Sequence, residues 1–269
     1  MNYYLGIDAG SSYIKLVLMD ETETLASQDV VPRGADIDAS CQACFDELMD
    51  RCQIDRSQIA RITATGYGRK QVALCDDAIT EIIAAAIGAY TIDSTVRCVI
   101  DIGGQDSKII AVDPSGKVLD FVMNQKCSAG TGKFLEVTSA SLGVPIEQLG
   151  LLSQKSNKVL KLTSTCTVFA ESEIVSCIAR GEKKEDIIRA LHRTISGQVR
   201  GLLSQLNAFE EGTIAFVGGL ALNVGMVDEL SDTLKQKVFV PRHPQFVGAR
   251  GAAIVAKRKM EANLALQRM

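Results

Sequence analysis

One short pattern occurs twice in the chain and constrains its fold more than any other feature. Tyr3-Tyr4-Leu5-Gly6-Ile7-Asp8 reads as a buried strand ending in a carboxylate, and Cys98-Val99-Ile100-Asp101 does the same. A glycine turn and a second apolar run follow each aspartate. With Asp8 set on Asp101, Gly10 falls on Gly103, Lys15 on Lys108, Leu16 on Ile109 and Asp20 on Asp113. A lone Asp-x-Gly is a weak signal. Paired copies with matched lysines and aspartates predict a strand–turn–strand unit built twice, in two related lobes.

Helical periods fill the intervals. Residues 37–52 read as an amphipathic helix and 78–90 as a buried one, with 91–97 crossing between lobes. Further helices are expected at 133–142, carrying Phe134, Val137 and Leu142, and at 168–180, carrying Phe169, Ile174 and Ile178; Gly143 and Gly181 supply stop signals. A long helix is expected over 186–206, a strand over 213–217, and a helix from Gly248 onward. Alternating strands and helices define an α/β protein. The expected lobes are 1–92 and 93–249, with the C-terminal helix, about 250–269, returning to the first.

The 269 residues give room for two lobes, and a net charge of −3 offers no basic field, so neither nucleic acid nor an anionic membrane is an expected partner. The longest apolar run, around Ile82 to Ile92, is too short to span a bilayer. The N-terminus lacks the basic, apolar and small-residue sequence of a signal peptide. A cytoplasmic location is therefore expected, where thiols stay reduced, and the eight cysteines read as core residues or ligands rather than disulfides.

Asp8-Ala9-Gly10-Ser11-Ser12 sets a carboxylate and then small residues at a strand end. There the backbone approaches a phosphate closely and successive N–H groups form an anion nest. Asp101-Ile102-Gly103-Gly104-Gln105-Asp106 is a second such turn. Asp8 and Asp101 are candidates to hold Mg²⁺, which favours carboxylates, waters and phosphates. Phe216-Val217-Gly218-Gly219 is a third strand-to-glycine turn, suited to pass under a nucleoside, and Gly248-Ala249-Arg250-Gly251 is small-residue packing at a helix start. One such turn is equally an ordinary β-turn; three in order after a repeat favour a nucleotide site. The order resembles the actin/hexokinase/Hsp70 ATPase superfamily, which implies duplicated actin-like (ribonuclease H-like) lobes with a nucleotide cleft between them. Gly130-Thr131-Gly132-Lys133-Phe134 is not a P-loop, because Phe134 and Cys127 stand where that motif needs a hydroxyl residue and a glycine.

Six cysteines fall in apolar periodic stretches, where a thiol acts as a small hydrophobe. Among them Cys41-x-x-Cys44 has no second ligand pair. Cys127 and Cys166 differ: each sits in a polar loop directly before a helix, where unpaired N–H groups and the dipole favour a thiolate. A cubane cluster takes four thiolates, so a symmetric dimer supplying two each satisfies the count. Zinc fits the same four-thiolate set.

Ile100-Asp101-Ile102-Gly103-Gly104-Gln105-Asp106-Ser107-Lys108, Lys126-Cys127-Ser128-Ala129-Gly130-Thr131-Gly132 and Thr165-Cys166-Thr167-Val168-Phe169-Ala170-Glu171-Ser172-Glu173 resemble the activators (component A) of 2-hydroxyacyl-CoA dehydratases, in the BadF/BadG/BcrA/BcrD-type ATPase family. Thr65-Gly66-Tyr67-Gly68-Arg69 also matches that pattern, and reads either as a partner-facing or as a plain turn. Where family members often carry Cys-His after the Glu81-Ile82 position, this chain has Ile83-Ala84-Ala85, which argues for packing there.

The resemblance implies a homodimer with one 4Fe–4S cluster held by Cys127 and Cys166 of each subunit. It implies ATP-driven, one-electron transfer to a dehydratase's iron–sulfur component, with reduced ferredoxin or flavodoxin as the electron source. The implied catalytic set is Asp8, Asp101, Gln105 and Asp106. The implied ATP/ADP-binding set is Gly10, Ser11, Ser12, Lys15, Gly103, Gly104, Lys108, Gly218, Gly219, Asn223, Gln245 and Gly248. Rival readings are a sugar-type kinase of the same fold, a benzoyl-CoA reductase-like ATPase subunit and a zinc-stabilised ATPase.

Overall fold

The computed structural model describes residues 2–124, 131–162, 167–208 and 211–267. The chain divides into two compact units. One comprises the residues up to Ser94, the stretch Pro114–Val118 and the segment from Phe246 onward; the other comprises Thr95–Asp113 and Leu119–Gln245.

In the first unit β1 (Tyr3–Ala9) folds back antiparallel on β2 (Tyr13–Asp20), with Asp8 opposite Lys15. β3 (Leu25–Pro32) lies outside β2. β4 (Ile59–Thr65) runs parallel to β1 on its other side, and the two-residue β5 (Asp77–Ala78) closes that edge. Side chains alternate between the two faces of the sheet. Leu5, Ile7, Leu16, Ile62 and Ala64 form one core with Cys41, Cys44, Phe45 and Leu48 of α1 (Ile37–Cys52). Asp36 caps α1 by accepting the Ala39 N–H, and Gln53 ends it in the left-handed region.

The other face is built for close approach. A Cβ on Gly6 would overlap the Ala249 carbonyl oxygen of the C-terminal helix, Val247–Gln267. A Cβ on Gly251 would overlap the Ala84 carbonyl in α2 (Glu81–Ile92), and one on Gly88 would overlap that of Val247. The Ile83-Ala84-Ala85 segment is thus a packing surface, with Ala84 and Ala85 buried. Helix α2 starts at Glu81 rather than 78, because Asp77–Ala78 pairs with β4 and Thr80 supplies the cap.

The second unit repeats the sheet. β6 (Val96–Ile102) pairs antiparallel with β7 (Ser107–Val112) and parallel with β9 (Thr213–Val217); β8 (Val118–Asn124) lies outside β7. The order β8-β7-β6-β9 reproduces β3-β2-β1-β4. Cys98, Ile100, Ile102, Ile109 and Phe216 pack on Phe134 and Leu135 of α3 (Gly132–Leu142), Leu149 of α4 (Leu149–Ser153) and Ile174 and Cys177 of α5 (Thr167–Ala179). The same core takes Ile187, Leu191 and Ile195 of α6 (Lys184–Leu203) and Met226 and Leu230 of α7 (Val224–Leu234).

Gly143 ends α3 at φ +59°, and Gly181 follows α5 at φ +75°. Ile178 is corrected from its expected core position: it is exposed, as is Val175, and Cys177 takes the buried place. Helix α6 spans 184–203 instead of 186–206. The C-terminal helix, α8, begins at Val247, one residue ahead of expectation. No helix among the described residues is long and apolar enough to cross a membrane.

Candidate functional site

In the first unit Asp8 stands at the carboxyl end of β1, and its Oδ2 pairs with Lys15 Nζ at 2.9 Å. The Gly10 N–H donates to the Tyr13 carbonyl at 3.0 Å and closes the turn. Arg33 braces that turn: its N–H donates to the Ser12 carbonyl and its Nη1 to the Ser11 carbonyl. Gly66, directly after β4, has φ +88°, and a Cβ there would overlap the Asp8 carboxylate. Only glycine meets both demands. At the start of α8, a Cβ on Gly248 would lie 3.8 Å from Asp8 Oδ2. Asp8, Gly10, Lys15, Gly66 and Gly248 therefore converge.

The second unit repeats this geometry with changes. The Gly103 N–H donates to the Asp106 carbonyl at 3.0 Å, the counterpart of the Gly10 bond. Lys108 is nearly buried and reaches Asp106 Oδ1 at 2.6 Å. Gly104 and the exposed Gln105 form the tip. Gly218 has φ +87°, and a Cβ there would lie 2.7 Å from Asp101 Oδ1. Its N–H donates to the Pro244 carbonyl, beside Gln245, and Gly219 opens a short 3-10 turn. Asn223 is committed on both sides of its amide. Oδ1 accepts the Met226 N–H and caps α7, while Nδ2 faces His192 Nε2 at 3.4 Å. His192 is fully buried, and burial pushes its pKa down to about 4, so the ring is neutral.

The Gly66 turn lies against the Asp8 carboxylate and so forms part of the candidate site. The signal was available: Thr65-Gly66 stands to Asp8 as Val217-Gly218 stands to Asp101, in the same parallel register. Arg69 closes the turn locally, donating to the Gly66 carbonyl at 2.9 Å and to Glu81 Oε2 at 3.0 Å.

Cys127 and Cys166 lie outside the described residues. One expectation about their setting needs correction. The first N–H groups of α3 are not unpaired: Gly132 donates to the Gly103 carbonyl at 2.9 Å and Lys133 to the Gly104 carbonyl at 3.0 Å. Gly132 sits so close to Gly103 that the helix start is bonded to the second phosphate-type turn. Five of the other cysteines are held as thiols. Burial pushes Cys41, Cys44 and Cys98 up to about 12 and raises Cys75 and Cys177 as well. No group of three or more His, Cys, Asp or Glu gathers as a cation cage among the described residues. A single carboxylate per half suits Mg²⁺, which takes one or two carboxylates with phosphates and water.

Known proteins share this architecture. A family model described as the BadF/BadG/BcrA/BcrD ATPase family matches residues 5–256. The "2-hydroxyisocaproyl-CoA dehydratase activator" of Clostridioides difficile is 34% identical over 94% of this chain and 94% of its own length. The "(R)-2-hydroxyglutaryl-CoA dehydratase activating ATPase" of Acidaminococcus fermentans is 36% identical over 96% of this chain and 98% of its own. The solved structure of the activator of the 2-hydroxyisocaproyl-CoA dehydratase from Clostridium difficile, with bound ADPNP, superposes with a TM-score of 0.92. It is 33% identical and covers 98% of this chain and 97% of that one. With a family model spanning nearly the whole chain, this protein belongs to the BadF/BadG/BcrA/BcrD ATPase family.

Proposed function

We propose that the protein is the ATP-hydrolysing activator of a 2-hydroxyacyl-CoA dehydratase. In this reading it passes one electron at a time from a 4Fe–4S cluster to the dehydratase's iron–sulfur component. The near full-length likeness to named dehydratase activators carries the proposal. It works in the cytoplasm as a homodimer, receives its electron from reduced ferredoxin or flavodoxin, and holds the cluster with Cys127 and Cys166 of both subunits. When bound, the cluster supplies a one-electron donor whose potential depends on exposure and on hydrogen bonds to its sulfurs.

The residues divide the work by chemistry. Asp8 and Asp101 position Mg²⁺, directly or through water, where it would neutralise phosphate charge. Ser11 and Ser12 of one turn and Gly104 of the other present backbone N–H groups to phosphate, while Gly10 and Gly103, whose own N–H groups close the turns, let the backbone approach it. Lys15 and Lys108 add positive charge beside them. Gln105 or Asp106 orients the attacking water, since positioning dominates phosphoryl transfer. Gly218 and Gly219 pass under the nucleoside; Gln245 lies next to the Pro244 carbonyl that fixes Gly218, and Asn223 acts through α7. The bonds from Gly132 and Lys133 to the Gly103–Gly104 turn support a direct route by which a change at that turn moves α3, the helix behind Cys127. ATP drives such a change only by binding one conformation more tightly than the other.

Anaerobic purification tests the proposal. A brown dimer that bleaches in air is expected, with Cys127→Ala and Cys166→Ser each losing iron and the visible charge-transfer band. A colourless zinc protein, or either variant with a full cluster, contradicts it.

A further inference from the structure

We infer that Thr65 is a positioning residue for the divalent cation at Asp8, its hydroxyl reserved for a water of that cation's shell. The inference rests on the ATPase reading and adds a residue to it. Thr65 is the Cα partner of Asp8 in the parallel pair of β1 and β4, so both side chains project from the same face of the sheet. It is fully buried, and its Oγ1 has no hydrogen-bond partner among the described residues. A buried hydroxyl without a partner opposes folding, and one that shares the face of a candidate cation-binding carboxylate is accounted for by a ligand there that supplies the missing bond.

The second half of the chain gives an internal comparison. There Val217 is the partner of Asp101 in the corresponding parallel pair, and a glycine with nearly the same φ follows. Valine has the shape of threonine without its hydroxyl. The repeated scaffold thus accepts an apolar residue at this place, and the packing does not require the hydroxyl beside Asp8. Gly66 presses on the Asp8 carboxylate from the next position. The carboxylate is held on one side by Lys15 and backed on another by Gly66, and the orphan hydroxyl shares its face. Thr63, two residues earlier, also lacks a partner, but it stands opposite Gly6, where α8 lies against the strand. Thr63 therefore serves as a control for a purely structural buried hydroxyl.

The test measures Mn²⁺ binding to the ADP-loaded full-length protein by electron paramagnetic resonance, with melting of the ligand-free protein in parallel. Thr65→Val should melt no lower than the parent and bind Mn²⁺ about tenfold more weakly, the scale of one hydrogen bond to a charged group. Thr65→Ser should restore the affinity, Thr65→Ala should lose it as Thr65→Val does, and Thr63→Val should bind as the parent. Parent-like Mn²⁺ binding by both Thr65→Val and Thr65→Ala overturns the inference alone, and so does an equal loss in Thr63→Val. Failure of the parent protein to bind ADP at all overturns the nucleotide reading together with this one.

Discussion

The two halves share a strand order, a hairpin turn closed by the same backbone bond and a glycine pressed on an aspartate, yet they differ in what is fastened to that frame. In the first half, α8 packs backbone against backbone on the Asp8-bearing face at Gly6 and on α2 at Gly88 and Gly251. In the second half, the turn after Asp101 is bonded to the start of α3 through Gly132 and Lys133. One copy is locked by close packing, and the other is linked to the helix behind a proposed redox ligand. Duplication supplied two carboxylates in matching positions. The attachments then divided the labour.

The contrast can be broken first at the glycines. Gly251→Ala should destabilise the first half by about 3 kcal/mol or more, since its Cβ meets backbone that has no rotamer to shift. Urea unfolding measures this. Acid should act on the second half, which holds both histidines of the chain. The folded pKa of His192 lies below its unfolded value of about 6.5. The unfolded chain therefore binds the extra proton first, and stability is lost as pH falls from about 6.5 towards about 4. The loss approaches about 3 kcal/mol, and His192→Gln should flatten that part of the stability profile. The smallest effect has the opposite sign. Gly197 and Gly201 of α6 would meet nothing within 4 Å on gaining a Cβ. Gly197→Ala and Gly201→Ala should each stabilise by about 0.5–1 kcal/mol through helix propensity, read as a raised melting temperature.

Much of this frame was legible because the repeat carries its own check. The matched Asp–Gly–Lys spacing located both hairpins, and helix α1 was read to its observed ends, since Ile37, Cys41, Cys44, Phe45 and Leu48 keep one strongly apolar stripe. The strands β3, β4, β5 and β8 were not legible. β3 and β8 are sheet edges: β3 has polar residues on both faces, and in β8 the apolar Leu119 and Phe121 are the exposed ones, so neither shows the usual apolar-in alternation. Helix α7 was missed because Gly225 interrupts its first turn, although Asn223 supplies a cap signal. At the site, glycines and carboxylates were readable from chemistry. Thr65 was not, because a threonine in a strand carries no signal until its register against Asp8 and its lack of a partner are known.

The central claim is that the nucleotide state at the Gly103–Gly104 turn is transmitted through α3 to the cluster. The most direct measurement is the anaerobic rate of iron loss to a ferrous chelator, with the homodimer saturated first with ADP and then with ADPNP. The account predicts clearly different rates in the two states, and a difference that shrinks in Gly132→Val, whose added side chain crowds the Gly103 carbonyl, a Cβ lying 3.3 Å from its oxygen. Equal rates with ADP and ADPNP in the parent protein would contradict it.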